Sequence, residues 1–378
     1  MTAPATISER RLTLSYLSRQ LLLERSRADC AAAVRRLVGL QGQYSPSPYL
    51  ALLARLEGFT AEGLEACLAA RSVVKATLMR GTLHLAAAED FALYAEIYRA
   101  QSTAHWLGRY PGLDPDAVVR RVEAAAREGR TGEELADLVE AAAPGVVERR
   151  RDRLHIARGL VPLVQVPPAG YWRWHGNASF SVWPESAPVS GPEAVGRFLR
   201  TYLTAYGPAS PADAARFAGL RVGAMKAGID HAGPLERLTG PDGRALLDVP
   251  DAPWPDPDDV PVAPFRLLPK WDSALLAHDV RARIIDADLL ERVVNRANGD
   301  VAATYLVDGR VAGLWTSAVE DGTAVLTLNP LGSTPIPDDA EREAARLLGF
   351  AHPEAAKRRV AVTESSTTTA TATTTTTT

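Results

Sequence analysis

Residues 190–248 constrain the fold more than any other stretch of the chain. GPEAVGRFLRTYLTAYG follows Ser190, carries Pro192 near its first helical position, and sets Val195, Phe198, Leu199 and Tyr202 on one face. Gly207 and Pro208 end that helix. Ser210 then caps PADAARFAGL with Pro211 at its first turn, and RVGAMKAGIDHAG follows Gly219 as a third helix. LERL and ALLDV, joined by the turn GPDGR, complete the unit as a hairpin. Three helices and a two-stranded wing define a winged helix, a variant of the helix-turn-helix.

The same order recurs twice upstream without sequence identity between copies. In the middle copy DPDAVVRRVEAAAREG is the first helix, Thr131 and Glu134 form a capping box for TGEELADLVEAA, and GVVERRRDRLHIARGL is the third helix. Its expected wing is LVPLVQVPPAGYWRWHGNASFSVW, with YWRWH and SFSVW as strands around HGNA. In the first copy, helices at 12–24, 28–40, 48–57 and 60–70 precede a hairpin of VVKATLM and TLHLA turned at Arg80 and Gly81. Beyond residue 260 the pattern changes to alternating strand-like runs, with Asp-Gly pairs at 308 and 321 and a final helix DDAEREAARLLGFAH. The expected class is therefore α+β. Winged-helix units at 10–110, 111–189 and 190–260 form a concave DNA-binding cradle, a small β-rich domain at 261–362 closes it, and a Thr-rich tail at 363–378 is disordered.

Composition excludes several function classes. No apolar run approaches the ~20 residues needed to cross a bilayer, and the N-terminus carries charge without a signal-peptide apolar core, so the expected location is cytoplasmic, at the nucleoid. Cys30 and Cys67 are too few for a disulfide framework or a thiolate zinc site, and the seven histidines show no ligand spacing; no metal and no cofactor are expected. The net charge of −3 lacks the basic excess usual in nucleic-acid binders, but its distribution is uneven. Residues 1–55 hold eight arginines against Glu9, Glu24 and Asp29, and ERRRDRLHIAR at 148–158 is a second basic cluster. Five aspartates crowd DVPDAPWPDPDDVP at 248–261. This is a basic face beside an acidic loop, or a solvated surface that favours arginine over its four lysines.

LVGLQGQYSPSPYL, residues 37–50, reads as a helix end where Gln41 and Gln43 flank Gly42 before two prolines forbid continuation. Taken alone, the amides are a polar helix terminus satisfying the last carbonyls. Motifs in order along the chain give a second reading. This QxQ corner, MRGTLHL, VQVPPAGYWRW, YGPASPADAARFAGL, LLPKWDSALLAHDVRARII and YLVDGRVAGLW together resemble the tandem winged-helix DNA glycosylases, the bacterial family containing AlkZ and YcaQ, in its AlkZ-like branch, over about residues 10 to 350. The resemblance implies Gln41 and Gln43 as catalytic residues; the family's middle residue is usually larger and apolar than Gly42. It also implies double-stranded DNA with an alkylated purine as partner, bound by a monomer.

The chemistry of the amide supports that implication. Glycosidic cleavage passes through an oxocarbenium-like state attacked by water. Glutamine is neither base nor anion; it orients water through its carbonyl oxygen, donates from its NH₂ and stabilises charge by its dipole. That suffices when the leaving group is already cationic, as in N7- or N3-alkylated purines. The expected activity is monofunctional excision of such bases, including bulky or crosslinked adducts. Around the corner, Arg80, Thr82 and His84 alternate on a strand and face phosphate or the catalytic amides, or form a solvated wing. Arg149, Arg150 and Arg151 are expected phosphate contacts, and Trp172 and Arg173, within Tyr171–His175, are expected on a hairpin that inserts into DNA or packs as core. Asp272 and His278, six residues apart, read as structural rather than as a dyad. The alternative function is a non-catalytic winged-helix binder or transcriptional regulator; such proteins pair one module over a palindrome, whereas three dissimilar copies in one chain favour an enzyme.

Overall fold

The computed structural model describes residues 6–185 and 189–364. The expected disordered tail lies, from residue 365 onward, outside the described residues.

Ser8 and Asp29 cap the first two helices, Glu9–Arg19 and Cys30–Arg36, each accepting a backbone N–H in the first turn. The second helix ends earlier than the expected residue 40. Val38 and Gly39 adopt left-handed backbone at φ 54° and 83°, and the chain leaves the helix as a two-residue strand, Leu40–Gln41. The glutamines therefore stand on a strand and its exit, and the prolines do not stop the preceding helix. They open the next one, Pro46–Arg55, where the fixed φ of proline suits the first turn. Thr60 caps the following helix, Ala61–Ala69.

Strands Val73–Thr77 and Leu83–Ala87 pair antiparallel from Val73 opposite Ala87 to Thr77 opposite Leu83. The tight turn between them, Met79–Gly81, holds Arg80 at φ 58° and Gly81 at 71°. A 22-residue helix, Ala88–Arg109, follows directly; the sequence reading did not assign it. Three shorter helices come next: Pro115–Ala125, Gly132–Ala142 behind the Thr131–Glu134 capping box, and Arg150–Leu160.

Two expectations for the middle segment change. Its hairpin is built from Leu163–Gln165 and Ser179–Val182, not from YWRWH; residues 171–176 lie in turns that the aromatic side chains pin by packing. Nor do the first two hairpins stand apart as separate wings. Ala76 pairs with Val164, so the strands merge into one six-stranded sheet: Leu40–Gln41, Leu83–Ala87, Val73–Thr77, Leu163–Gln165, Ser179–Val182, then the short strand Arg130–Thr131. The unpaired edges that two isolated wings would expose satisfy each other instead.

In the third segment, helices Gly191–Tyr206, Pro211–Ala218 and Val222–Ala227 precede the hairpin of Glu236–Thr239 and Ala245–Asp248. Ser210 and Asp213 form a capping box, and Gly219 ends its helix at φ 80°. The closing region is a five-stranded sheet in the order Lys357–Val362, Thr323–Pro330, Arg310–Glu320, Thr304–Val307, Arg266–Leu268, with the helix Asp339–Ala351 packed on it.

Distant segments share cores. Leu14 and Tyr16 of the first helix pack in one cluster with Tyr94, Phe198, Tyr202, Leu268 and Leu275, while Tyr49 and Leu53 join Trp315 and Leu347 in another. Val118, Leu135, Val139, Ile156 and Phe180 form a third, local to the middle segment. Two ion pairs with no side-chain exposure at either partner lock the same contacts: Arg19 with Asp248, and Arg55 with Asp272. No helix among the described residues is long and apolar enough to cross a membrane.

Candidate active site

The sheet brings Gln41 beside His84. They are direct cross-strand partners, and Gly42 N–H donates to the Leu83 carbonyl at 2.7 Å, continuing the ladder to the corner. Gln41 is buried; Gln43, past the strand, is exposed, and its Oε1 accepts from the Leu83 N–H at 3.3 Å. Gly42 fits a confined place. A Cβ there would lie 3.0 Å from Leu85 Cδ1 and 3.6 Å from both Pro48 Cγ and Lys75 Cε, so Leu85 occupies room that a larger middle residue would need.

Arg80 reaches the same point from the turn. Its Nη2 donates to Gln41 Oε1 at 3.4 Å and lies 3.4 Å from His84 Nε2, while Nη1 donates to the Phe217 carbonyl and the guanidinium covers the Phe217 ring at 4.9 Å. His84 Nδ1 is 3.0 Å from the Thr82 carbonyl. That contact places the proton on Nδ1 and leaves Nε2 to accept from Arg80. Burial, reinforced by the Arg80 charge, pushes His84 down to about 3, so the imidazole is neutral. Burial, with help from Arg216 and Arg281, lowers Arg80 to about 10, which leaves it charged at neutral pH. Among the described residues no carboxylate hydrogen-bonds to Gln41, Gln43, Arg80 or His84. The result is a neutral amide held at its oxygen by a fixed cation, with one carbonyl lone pair and both amide protons left for a substrate or water.

The remaining expected residues fall elsewhere. Thr82 is half-buried, its hydroxyl spent on the Met79 carbonyl at 3.3 Å, and it contributes through its own carbonyl to His84. Arg149, Arg150 and Arg151 are exposed at the start of the helix Arg150–Leu160, where Arg150 pairs with Asp137 at 3.1 Å. On this helix His155 and Arg158 follow Arg151 at helical spacing, and Arg158 Nε donates to Thr77 Oγ1 at 2.8 Å, so the basic cluster leads toward the sheet. Trp172 packs between Tyr49 and Phe350, at ring distances of 5.3 and 5.0 Å, and exposed Arg173 pairs with Glu354. These residues form no hairpin strand, and Trp172 takes the core-packed alternative. Asp272 and His278 are also not paired: Asp272 binds Arg55, and His278 lies against the Tyr206 carbonyl and Arg283. No group of three or more metal-ligating side chains occurs among the described residues.

Sequence reasoning missed neighbours supplied by remote segments. Tyr44, next to Gln43, is 47% exposed and lies 6.5 Å from the ring of Trp271, which is itself held at φ 53°. Lys75 runs behind Gly42 on the buried strand Val73–Thr77, and burial lowers its ammonium to about 8. No local pattern marks either one, because the contacts arise only when the sheet and the closing region assemble.

The chain is an interlocked α+β fold with Gln41 buried and Gln43 exposed at a sheet corner, and comparison with known proteins gives its family. The family model described as DNA glycosylase AlkZ-like matches residues 34–350, and the chain belongs to this family of DNA glycosylases. It is similar to the interstrand DNA cross-link repair glycosylase of Streptomyces sahachiroi, at 26% identity over 356 residues, covering 88% of this chain and 93% of that protein. Its fold is similar to the solved structure of Streptomyces sahachiroi DNA glycosylase AlkZ, with a TM-score of 0.77 at 22% identity, over 94% of this chain and 100% of the other.

Proposed function

We propose that the protein is a monofunctional glycosylase for cationic N7- or N3-alkylated purines in duplex DNA, bulky and crosslinked adducts included. The observation that carries this reading is the site's chemistry: Gln41 meets a neutral His84 and a fixed Arg80, Gln43 stands at the strand exit on the Leu83 N–H, and among the described residues no carboxylate hydrogen-bonds to any of them. In the proposed reaction the C1′–N bond breaks with its electron pair neutralising the cationic base, and water oriented by the amides adds to C1′ and gives its proton to solvent. The relative named for interstrand cross-link repair supports the extension to crosslinks. Arg149, Arg150 and Arg151 are assigned to backbone contact ahead of the corner, and the helix-and-hairpin segments to a winged-helix cradle.

Release of free 7-methylguanine from methylated duplex, with untreated duplex as control, tests the reading. Duplexes carrying uracil, hypoxanthine or 8-oxoguanine should release little, because neither amide protonates a neutral base. Robust uracil release would contradict the assignment.

The same chemistry sets a pH dependence. With His84 at about 3 and Lys75 at about 8, no group at the corner titrates in between, so the single-turnover rate should be flat from about pH 5 to 7. Stability behaves differently. The folded value of His84 lies below the ordinary 6.5, so its contribution is complete above 6.5 and fades as pH falls toward 3. Buried His278 is lowered in the same direction, by burial first. The Tm should therefore drop on acidification from about pH 6.5 to 4 while the rate at temperatures below unfolding holds. A rate inflection near pH 6.5 that His84→Gln removed would place the imidazole in the chemistry.

A further inference from the structure

Arg80 links the candidate active site to a second concentration of positive charge. One of its nitrogens faces Gln41 and the other reaches the Phe217 carbonyl, and Arg216, beside Phe217, lies exposed on the helix Pro211–Ala218 and pairs with Asp279 at 3.2 Å. Two residues past Asp279, Arg281 opens the tight turn Arg281–Arg283. Its Nη1 is closed off from solvent and has no hydrogen-bond acceptor among the described residues. Burial and the neighbouring Arg216 and Arg296 lower its pKa, with Asp279 the opposing charge.

Arg25, Arg266 and Arg346 also each enclose one unpartnered nitrogen, but all three stand beside the Glu343 carboxylate. Arg19 and Arg55 each meet a buried carboxylate and backbone carbonyls, so their donors are satisfied. Around Arg281 the positive charge exceeds the negative, and Asp279 is already engaged by Arg216. A donor enclosed without an acceptor is unfavourable in the free protein; Arg281 as a whole is only half-buried, so its guanidinium can turn outward to an arriving anion without giving up a hydrogen bond at Nη1. The sign of the cluster excludes a cation as its ligand. Its continuity with Gln41 through Arg80 points to an anion attached to the nucleotide that the corner would hold.

We propose that Arg281, flanked by Arg216 and Arg296, seats a backbone phosphodiester of the lesion-bearing strand, reached across Arg80 from the sugar at Gln41. This inference rests on the glycosylase reading and adds a strand contact contributed jointly by the third helical segment and the closing region.

The test is fluorescence anisotropy with a duplex carrying a tetrahydrofuran abasic-site analogue, measured over a range of KCl. Arg281→Met should weaken binding about tenfold and flatten the slope of log K against log salt by about 0.9, the loss of one phosphate contact. Arg342→Met, an exposed arginine on the closing helix, should change neither. A single neutral methylphosphonate walked along the lesion strand should weaken the unaltered protein at one phosphate where Arg281→Met is indifferent. An unchanged slope and an unchanged methylphosphonate pattern in Arg281→Met would overturn the phosphate seat alone. Absence of any duplex binding by the unaltered protein would overturn the glycosylase reading and the seat with it. Should Arg281→Met fail to fold, exposed Arg216→Met takes its place, with the same loss of slope expected and an unchanged slope equally decisive against the seat.

Discussion

Replacing Gln41 or Gln43 with alanine is expected to lower the single-turnover excision rate about tenfold to a thousandfold, the range for losing one preorganised group at a transition state. Duplex affinity should change far less, since phosphate contacts supply most of it. The two variants should differ in character. Gln41 is buried, with its oxygen against Arg80, so alanine removes the amide and leaves the Arg80 guanidinium facing His84 and a small void. Gln43 is exposed and, among the described residues, its side chain bonds only the Leu83 N–H at strand exit, a contact that water replaces in the alanine variant. Gln41→Ala should therefore show a modest fall in Tm along with the rate loss, and Gln43→Ala the rate loss alone. Excision by both variants at the unaltered rate, in protein shown to be folded, would remove the corner from the chemistry.

Glutamate at position 41 sharpens that test. A carboxylate there would sit against Arg80 and gain a charge-assisted hydrogen bond in place of a neutral one. The neutral amide pair would then include a carboxylate.

How much of this arrangement was legible in the sequence depends on the range of the interaction involved. Helix starts were readable because caps act within three or four residues. The Thr131–Glu134 and Ser210 boxes and the Pro211 first turn all stand where the local pattern puts them. Helix ends were less so: nothing in LVGLQGQ separates a helix running to residue 40 from one broken at Val38 and Gly39, because the break is rewarded only by the pairing of Gln41 with His84 across the sheet. The prolines at 46 and 48 read as terminators in the sequence and act as initiators in the fold, an ambiguity inherent in a residue that suits the first helical turn and opposes every later one. YWRWH alternates like a strand, yet its aromatic rings find partners on Tyr49 and Phe350, residues far away in sequence. The helix Ala88–Arg109 went unassigned beside a hairpin, although AEDFALYAEIYRAQ is rich in good helix formers. At the site, Gln41, Arg80 and His84 were named from motif order and do come together. Tyr44 with Trp271, Lys75, and the Arg216 and Arg281 cluster were not, since each contact joins segments with no shared local signal.

Asp272→Ala is expected to destabilise the protein by about 3–5 kcal/mol, the loss typical when one partner of a buried ion pair is removed. Neither Asp272 nor Arg55 has exposed side-chain surface, and the pair is bidentate, at 2.7 and 2.8 Å. The remaining Arg55 donors go to the Gln20 and Ala51 carbonyls, and Asp272 also caps the Ala274 N–H. Alanine would leave a charged guanidinium without exposed surface and without its counterion. Set against a total stability of roughly 5–15 kcal/mol for a folded domain, that loss is large enough to shift a urea midpoint well below the unaltered value. The pair matters for the site because of where it sits. Arg55 ends the helix that begins three residues after Gln43, and Ser273, beside Asp272, donates to the Gly39 carbonyl at 3.4 Å, so the closing region braces both sides of the corner. A structural brace and a catalytic acid predict different kinetics. At a temperature where Asp272→Ala remains folded, excision per folded molecule should stay within a few-fold of the unaltered rate, because the residue never faces the substrate. A variant with an unshifted urea midpoint and a thousandfold slower excision would assign Asp272 to the chemistry and leave the buried-pair argument without support.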